Sequence, residues 1–132
     1  MVKTITQKVI FKNTKPAKLY DLYMDSDKHT AATGSPANIH RKPGQSFMAY
    51  DNYITGKNLQ LIPDRLIVQT WRASDWENSD IDSTFILSFQ KKGKDTILYM
   101  THANVPKRQV DDLKQGWVDF YWKPWKNYLN RI

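Results

Sequence analysis

The sequence predicts an α+β fold: one antiparallel β-sheet, two short helices after its first strand, and a long C-terminal helix. Three observations predict it. Residues 4–11 and 37–102 carry short alternating apolar segments punctuated by Pro, Gly, Asn and Asp, the pattern of antiparallel strands. That stretch has no βαβ alternation, which argues against a parallel sheet. From Gln109 to Ile132, Val110, Leu113, Trp117, Phe120/Tyr121, Pro124 and Tyr128 recur at three- and four-residue steps, the spacing of one helix face.

In chain order, Ile5, Val9 and Phe11 alternate with Thr4, Thr6 and Lys8 as a half-buried strand. Asn13-Thr14-Lys15-Pro16 starts a helix, with Pro16 in its first turn and Thr14 or Asn13 as its cap. That helix carries Leu19, Tyr20, Leu22 and Tyr23. Ser26-Asp27 caps a second short helix through Ala32, which Gly34 and Pro36 stop. Strands follow at 37–40, 47–50 and 53–62, with Asp51-Asn52 as a hairpin connection and Lys42-Pro43-Gly44 as a turn. Pro63-Asp64 breaks the run before a strand at 66–72. The polar segment 75–80 is a loop. Phe85, Leu87 and Phe89 alternate with Thr84, Ile86 and Ser88 in the next strand, and Lys91 to Lys94 turns the chain back into a strand at 96–102.

In the last helix Val118, Trp122, Trp125 and Leu129 lie beside the main apolar face, so a large surface must cover it. Pro124 lacks an N–H and is expected to kink the axis near Phe120 to Trp122, letting the helix follow a curved sheet. A helix closing over a cupped sheet can leave a pocket. Filling of that hollow by indole and phenol rings would remove it.

The chain has 132 residues, read as a single domain over 1–132. A chain of this size buries roughly two-thirds of its unfolded surface. Cysteine is absent, which excludes disulfides, thiolate metal sites and cysteine nucleophiles. The N-terminus lacks the apolar core of a signal peptide, and no apolar run suffices to span a bilayer, so a soluble, cytoplasmic protein is expected. The net charge is +7, with Lys91, Lys92 and Lys94 around Gly93 as its densest cluster. The basic residues are otherwise spread along the chain without base-reading elements, so no nucleic-acid partner is expected.

No chemistry stands out. His29, His40 and His102 are not spaced as metal ligands with one another or with a carboxylate, so no metal site is expected. The acids are twelve Asp and Glu77 alone; Asp75, Glu77, Asp80 and Asp82 cluster in or beside a polar loop, where a raised pKa is hard to achieve. No nucleophile elbow, phosphate loop or dinucleotide motif occurs, and no cofactor is expected. The aromatic residues, five Trp, seven Tyr and five Phe, carry the strongest signal. Most are expected in the core, but several facing a concave sheet would suit a flat apolar ligand. The candidate cavity walls are Phe47, Phe85, Leu87, Met100, His102, Trp117, Phe120 and Tyr121, assigned from strand and helix parity.

The string Gly56-Lys57-Asn58-Leu59-Gln60-Leu61-Ile62-Pro63-Asp64-Arg65-Leu66-Ile67-Val68-Gln69-Thr70-Trp71-Arg72 resembles the central signature of the activator of heat-shock-protein-90 ATPase homologue family. Thr96 to His102, Val105-Pro106, Gln115-Gly116-Trp117 with Tyr121, the Leu19-Tyr20 helix and Pro43-Gly44-Gln45-Ser46-Phe47 fit the same family, in order. The resemblance implies the helix-grip fold of the START and birch-pollen-allergen superfamily: a curved antiparallel sheet of about six or seven strands around the last helix. Such proteins often hold lipids, sterols or polyketide-like molecules between sheet and helix. The eukaryotic activators bind the chaperone and stimulate its ATPase, with the help of a separate N-terminal domain; this chain corresponds to the C-terminal-type domain.

The first expectation is therefore a binding protein, probed by filling the pocket at Met100, for a small hydrophobic molecule and acting as a monomer. The alternative is a co-chaperone-type domain whose basic surface meets an acidic partner, with steering that weakens in salt. An enzyme, with His102 or Tyr121 acting in a shaped cavity, ranks last because no acid–base pair is visible.

Overall fold

The computed structural model describes residues 1–130. Strand β1 (Val2–Phe11) is followed by α1 (Pro16–Met24) and α2 (Ser26–Thr33), then β2 (Asn38–Ile39), β3 (Ser46–Ala49), β4 (Ile54–Ile62), β5 (Leu66–Ala73), β6 (Ser83–Lys92) and β7 (Asp95–Pro106). A short 3₁₀ turn over Lys107–Gln109 leads to α3 (Val110–Trp117), a π-helical turn over Val118–Trp122, and α4 (Lys123–Asn130). The predicted end of that helix, Arg131 and Ile132, lies outside the described residues. No described helix is long and apolar enough to cross a membrane.

The seven strands form one sheet in the order β1-β7-β6-β5-β4-β3-β2, with every pair antiparallel. The first strand thus pairs with the last, and the chain in between runs across the sheet by hairpins. Period-2 alternation sets which face is buried. In β6 Ser83, Phe85, Leu87 and Phe89 point inward, as do Leu98, Met100 and His102 in β7 and Ile67, Gln69 and Trp71 in β5. The hairpin tip at Tyr50-Asp51-Asn52 has three consecutive positive φ values, a conformation that Asn and Asp tolerate. Gly56 is required by close approach: a Cβ there would lie 1.9 Å from the Thr70 carbonyl oxygen and 2.7 Å from the Phe47 ring.

Pro16 opens α1 as expected, but the predicted caps of both helices need correction. The N-cap of α1 is Lys15, and no side chain caps it; the Thr14 hydroxyl donates instead to the Lys12 carbonyl, 2.8 Å away. The N-cap of α2 is Asp25, whose carboxylate accepts from the Lys28 N–H at 3.0 Å. Ser26 already lies inside α2, and its hydroxyl bonds to the Ile39 backbone. Gly34 ends α2 in the left-handed conformation, φ 80°. Strand β7 runs four residues beyond the predicted end at His102, because Val2 and Lys3 pair with Pro106 and Val105.

The C-terminal helix lies across the buried sheet face. Gln7 of β1 pins it before the π turn and at the turn's last residue: its amide donates to the Lys114 carbonyl at 2.9 Å and its oxygen accepts from the Trp122 indole at 2.7 Å. The expected irregularity is present as the π turn, where the Lys123 N–H reaches back five residues to the Val118 carbonyl. The extra residue rotates the faces that follow. Phe120, assigned to the inward face, is 57% exposed, whereas Trp125, assigned to a neighbouring face, is fully buried.

Candidate functional site

The space beneath the helix is packed with rings. Trp117 stacks on Phe85 with centroids 4.4 Å apart and planes 7° from parallel. Tyr121 sits 4.8 Å from Trp117 and contacts Tyr23, Trp122 and Trp125 at about 6 Å, within the range of favourable aromatic pairs. Phe47, Leu87 and Met100 are closed off from solvent behind them. The hollow expected there is filled, so Phe47, Phe85, Leu87, Met100 and His102 are core residues in this structure.

His102 belongs to a closed hydrogen-bond chain. The Trp117 indole N–H, which can only donate, gives to His102 Nδ1 at 3.2 Å. Nε2 therefore carries the ring proton and donates to Ser83 Oγ at 2.7 Å, and the Ser83 hydroxyl donates to the Trp71 carbonyl at 2.7 Å. Burial holds the ring neutral and pulls its pKa down to about 3. Ser83 and His102 stand at catalytic distance, but the proton runs from His to Ser, the reverse of a general base activating a nucleophile. Both ring nitrogens are occupied and the ring is fully buried.

A second polar thread crosses the core. His29 Nδ1 donates to the Tyr23 carbonyl at 2.8 Å, so Nε2 accepts from the Tyr121 hydroxyl at 2.9 Å. The Tyr23 hydroxyl donates to the Gln69 amide oxygen at 2.9 Å. The Gln69 amide donates to Asn58 Oδ1 at 2.9 Å, and Asn58 donates to the carbonyls of His40 and Lys42. Burial lowers the pKa of His29 to about 4, against the opposing pull of the Tyr23 carbonyl, and raises those of Tyr23 and Tyr121. The thread ties α2, α1, strands β4 and β5, the β2–β3 loop and the last helix together without an ionised group.

Open space lies at the mouth of the grip. A pocket of about 410 Å³ is lined by Tyr50, Tyr53 and Ile54 from the β3–β4 hairpin and by Gly116, Trp117, Phe120 and Tyr121 from the helix. Of the eight predicted wall residues, Trp117, Phe120 and Tyr121 meet there. Its aromatic hydroxyls already donate elsewhere: Tyr50 to the Phe120 carbonyl, Tyr53 to Asp75 Oδ1 at 3.1 Å, and Tyr121 to His29. Partial burial pushes the Tyr50 pKa up to about 12, so the phenol stays protonated. The pocket therefore presents mainly ring faces, and the Tyr121 hydroxyl is turned into the core toward His29. Gly116 leaves it open, since a Cβ there would make only an ordinary 3.7 Å contact with Phe120. Tyr50, Tyr53, Ile54 and Gly116 escaped the sequence reading; two tyrosines flanking Asp51-Asn52 were the available signal.

A seven-stranded antiparallel sheet closed by a long C-terminal helix defines a helix-grip protein. Residues 13–130 match the family described as Activator of Hsp90 ATPase homolog 1-like protein, and the chain belongs to that family. The human Activator of 90 kDa heat shock protein ATPase homolog 1 is 29% identical over 125 residues, covering 92% of this chain and 37% of the human one. The corresponding activator of Dictyostelium discoideum is 29% identical over 131 residues, covering 98% of this chain and 32% of its own. The chain thus spans about a third of the length of these relatives. The crystal structure of an HSP90 activator from Plasmodium falciparum shares the fold, with a TM-score of 0.86 at 24% identity over 96% of each chain.

Proposed function

We propose that this chain, acting as a single domain, holds a small flat apolar molecule in the pocket at the mouth of the grip. The observation that carries this reading is the aromatic pocket of about 410 Å³ between the Tyr50–Ile54 hairpin and the Gly116–Tyr121 segment. Its volume falls in the range of small-molecule sites, and its lining is apolar with a few polar atoms. The ligand lies against Trp117, Phe120 and Tyr121 rather than beneath the helix, where the core is closed. A lipid, sterol or polyketide-like compound with an apolar face matches the aromatic lining. The test is a ligand screen by amide chemical shift with the Gly116→Leu variant as control. The variant fills the pocket without backbone strain, so it is expected to fold and to lose a ligand whose shifts map to the mouth. Retained affinity would refute the site.

A second reading is favoured by the family itself: a co-chaperone-type domain that binds a heat-shock-protein-90 chaperone and modulates its ATPase. The chain covers only part of the named activators, so this activity is tested directly, by adding the purified protein to the chaperone and following ATP hydrolysis at low salt. Absence of both binding and any rate change would end it.

A further inference from the structure

The antiparallel order of strands gathers basic side chains at one end of the sheet. Strands β1, β4 and β6 finish, and β5 and β7 begin, at that end. There stand Lys12 after β1, Lys15 at the start of α1, Arg65 in the β4–β5 turn, and Lys91, Lys92 and Lys94 on the β6–β7 hairpin, all exposed. At the opposite end charge is mixed: Asp75, Glu77 and Asp80 in the β5–β6 loop and Asp111 and Asp112 in the first turn of α3 stand with Lys3, Lys107, Arg108 and Lys114, and Arg108 pairs with Glu77 and Asp80. Among the described residues, Lys15, Arg65, Lys91, Lys92 and Lys94 make no ion pair; of the local carboxylates, Asp95 is taken by Lys12 at 3.7 Å and by the Asn13 N–H, and exposed Asp64 sits beside Arg65 in the turn. The first turn of α1 carries no acidic residue and no side-chain cap, which adds to the positive potential.

Shape accompanies the charge. Three adjoining recesses of about 350, 460 and 580 Å³ all include Lys15. One reaches Lys94, a second reaches Arg65 and Lys91, and a third follows α1 to Lys28 and Tyr128. Two of them have apolar walls, Pro16, Ala17 and Phe89 in one and Ala17 and Leu22 in another, and each has one carboxylate beside its cations: Asp64 and Asp21 in those two, Asp95 in the third.

We propose that this basic end docks an acidic segment of a partner protein, at a surface separate from the apolar pocket. Recesses in which three cations face one carboxylate, two of them with apolar walls, suit an extended chain in which carboxylates alternate with hydrophobic side chains. Single-stranded nucleic acid needs several exposed rings on which to stack, and of the rings along these recesses Tyr20 and Phe89 are buried and Tyr128 is half-buried. Several recesses around one lysine also suit peptide side chains better than a flat layer of lipid headgroups. The proposal stands independently of the pocket; in the co-chaperone reading it names the surface that the partner meets.

The test is a titration of the whole chain with a short peptide of glutamates interspersed with phenylalanine, followed by amide chemical shifts. Shifts are expected to cluster on 12–18, 64–65 and 90–95, and affinity is expected to fall as salt rises past roughly 0.1 M, where the Debye length is about 10 Å. The triple variant Lys15→Glu, Lys91→Glu, Lys94→Glu is expected to bind about tenfold more weakly or worse. The triple variant Lys3→Glu, Lys107→Glu, Lys114→Glu changes net charge equally at the other end, and is expected to lose less than about threefold. Equal losses, or shifts spread over the whole surface, would overturn the proposal. So would binding of phosphatidylserine–phosphatidylcholine vesicles or oligo-dT without binding of the peptide. If the first triple variant does not fold, the wild-type shift map and Lys94→Glu alone, on the hairpin tip, decide. Peptide binding without ATPase modulation would leave this surface standing and remove the co-chaperone reading.

Discussion

The Tyr50 hydroxyl donates to the backbone carbonyl of Phe120, four residues before Pro124. In a regular helix that carbonyl accepts from the N–H of residue 124, which proline lacks. A residue on a hairpin tip therefore supplies the donor that the helix cannot, at the π turn and on the wall of the pocket. The Tyr50 ring also meets Phe120 and Tyr121 edge-on, with centroids 5.7 and 5.6 Å away.

This relationship predicts a coupling. Tyr50→Phe keeps the ring contacts and is expected to lower stability by about 1 kcal/mol, the net value of a typical hydrogen bond. Pro124→Ala restores an N–H opposite the Phe120 carbonyl, so in that background Tyr50→Phe is expected to cost less. Urea unfolding of the two single variants and the double variant measures the difference. Additive effects would show that Tyr50 and the proline act independently.

Gly56→Ala is expected to be among the most damaging single-methyl changes. The added carbon meets the Thr70 backbone oxygen of the paired strand, not the end of a flexible side chain. Relief requires β4 and β5 to separate where Phe47 also packs. The expected loss exceeds about 3 kcal/mol, as overpacking against backbone warrants. A thermal melt within a few degrees of the parent would contradict it.

Removing the middle of the buried polar thread should cost more than removing its end. Gln69→Leu leaves both the Tyr23 hydroxyl and Asn58 Oδ1 without their partners, for an expected loss of roughly 3 kcal/mol. Tyr23→Phe frees only one acceptor and is expected to cost about 1 kcal/mol. Denaturant midpoints with unchanged slopes would measure the ranking.

Stability is expected to fall on mild acidification. Burial depresses the pKa of both His29 and His102, from 6.5 to about 4 and about 3. Between those values and 6.5 the unfolded chain binds protons that the folded chain refuses. The stabilisation is thus fully present above pH 6.5 and is lost as pH falls through the folded values. From pH 7 to pH 5, above the usual carboxylate range, each histidine is expected to cost on the order of 2 kcal/mol. Unfolding free energies across that window, with His102→Gln flattening the slope, provide the measurement.

Much of the fold was legible because periodicity reports burial directly. Phe85, Leu87 and Phe89 alternate with Thr84, Ile86 and Ser88, and the bulkier aromatic set takes the inward parity of the pleat. Asn58 and Gln69 were harder to read: polar side chains at inward positions break the apolar pattern, and their partners lie on other elements. Phe120 was misplaced because helical spacing assumes a constant turn, and the π turn adds a residue. Capping was misread at Thr14 and Ser26 because several adjacent polar residues can cap, and backbone geometry alone chooses among them.

By itself, the sequence determined the order of strands and helices, the inward faces of β6 and β7, the disturbance around Pro124, and the family signature from Gly56 to Arg72. These are local properties, carried by side-chain period, turn chemistry and a missing N–H. Only the tertiary structure decided that rings fill the space under the helix, that open volume remains at Tyr50 and Gly116, and that scattered lysines gather at one end. Those outcomes depend on how side-chain volumes meet and where antiparallel strands end, and neither is encoded at any single position of the chain.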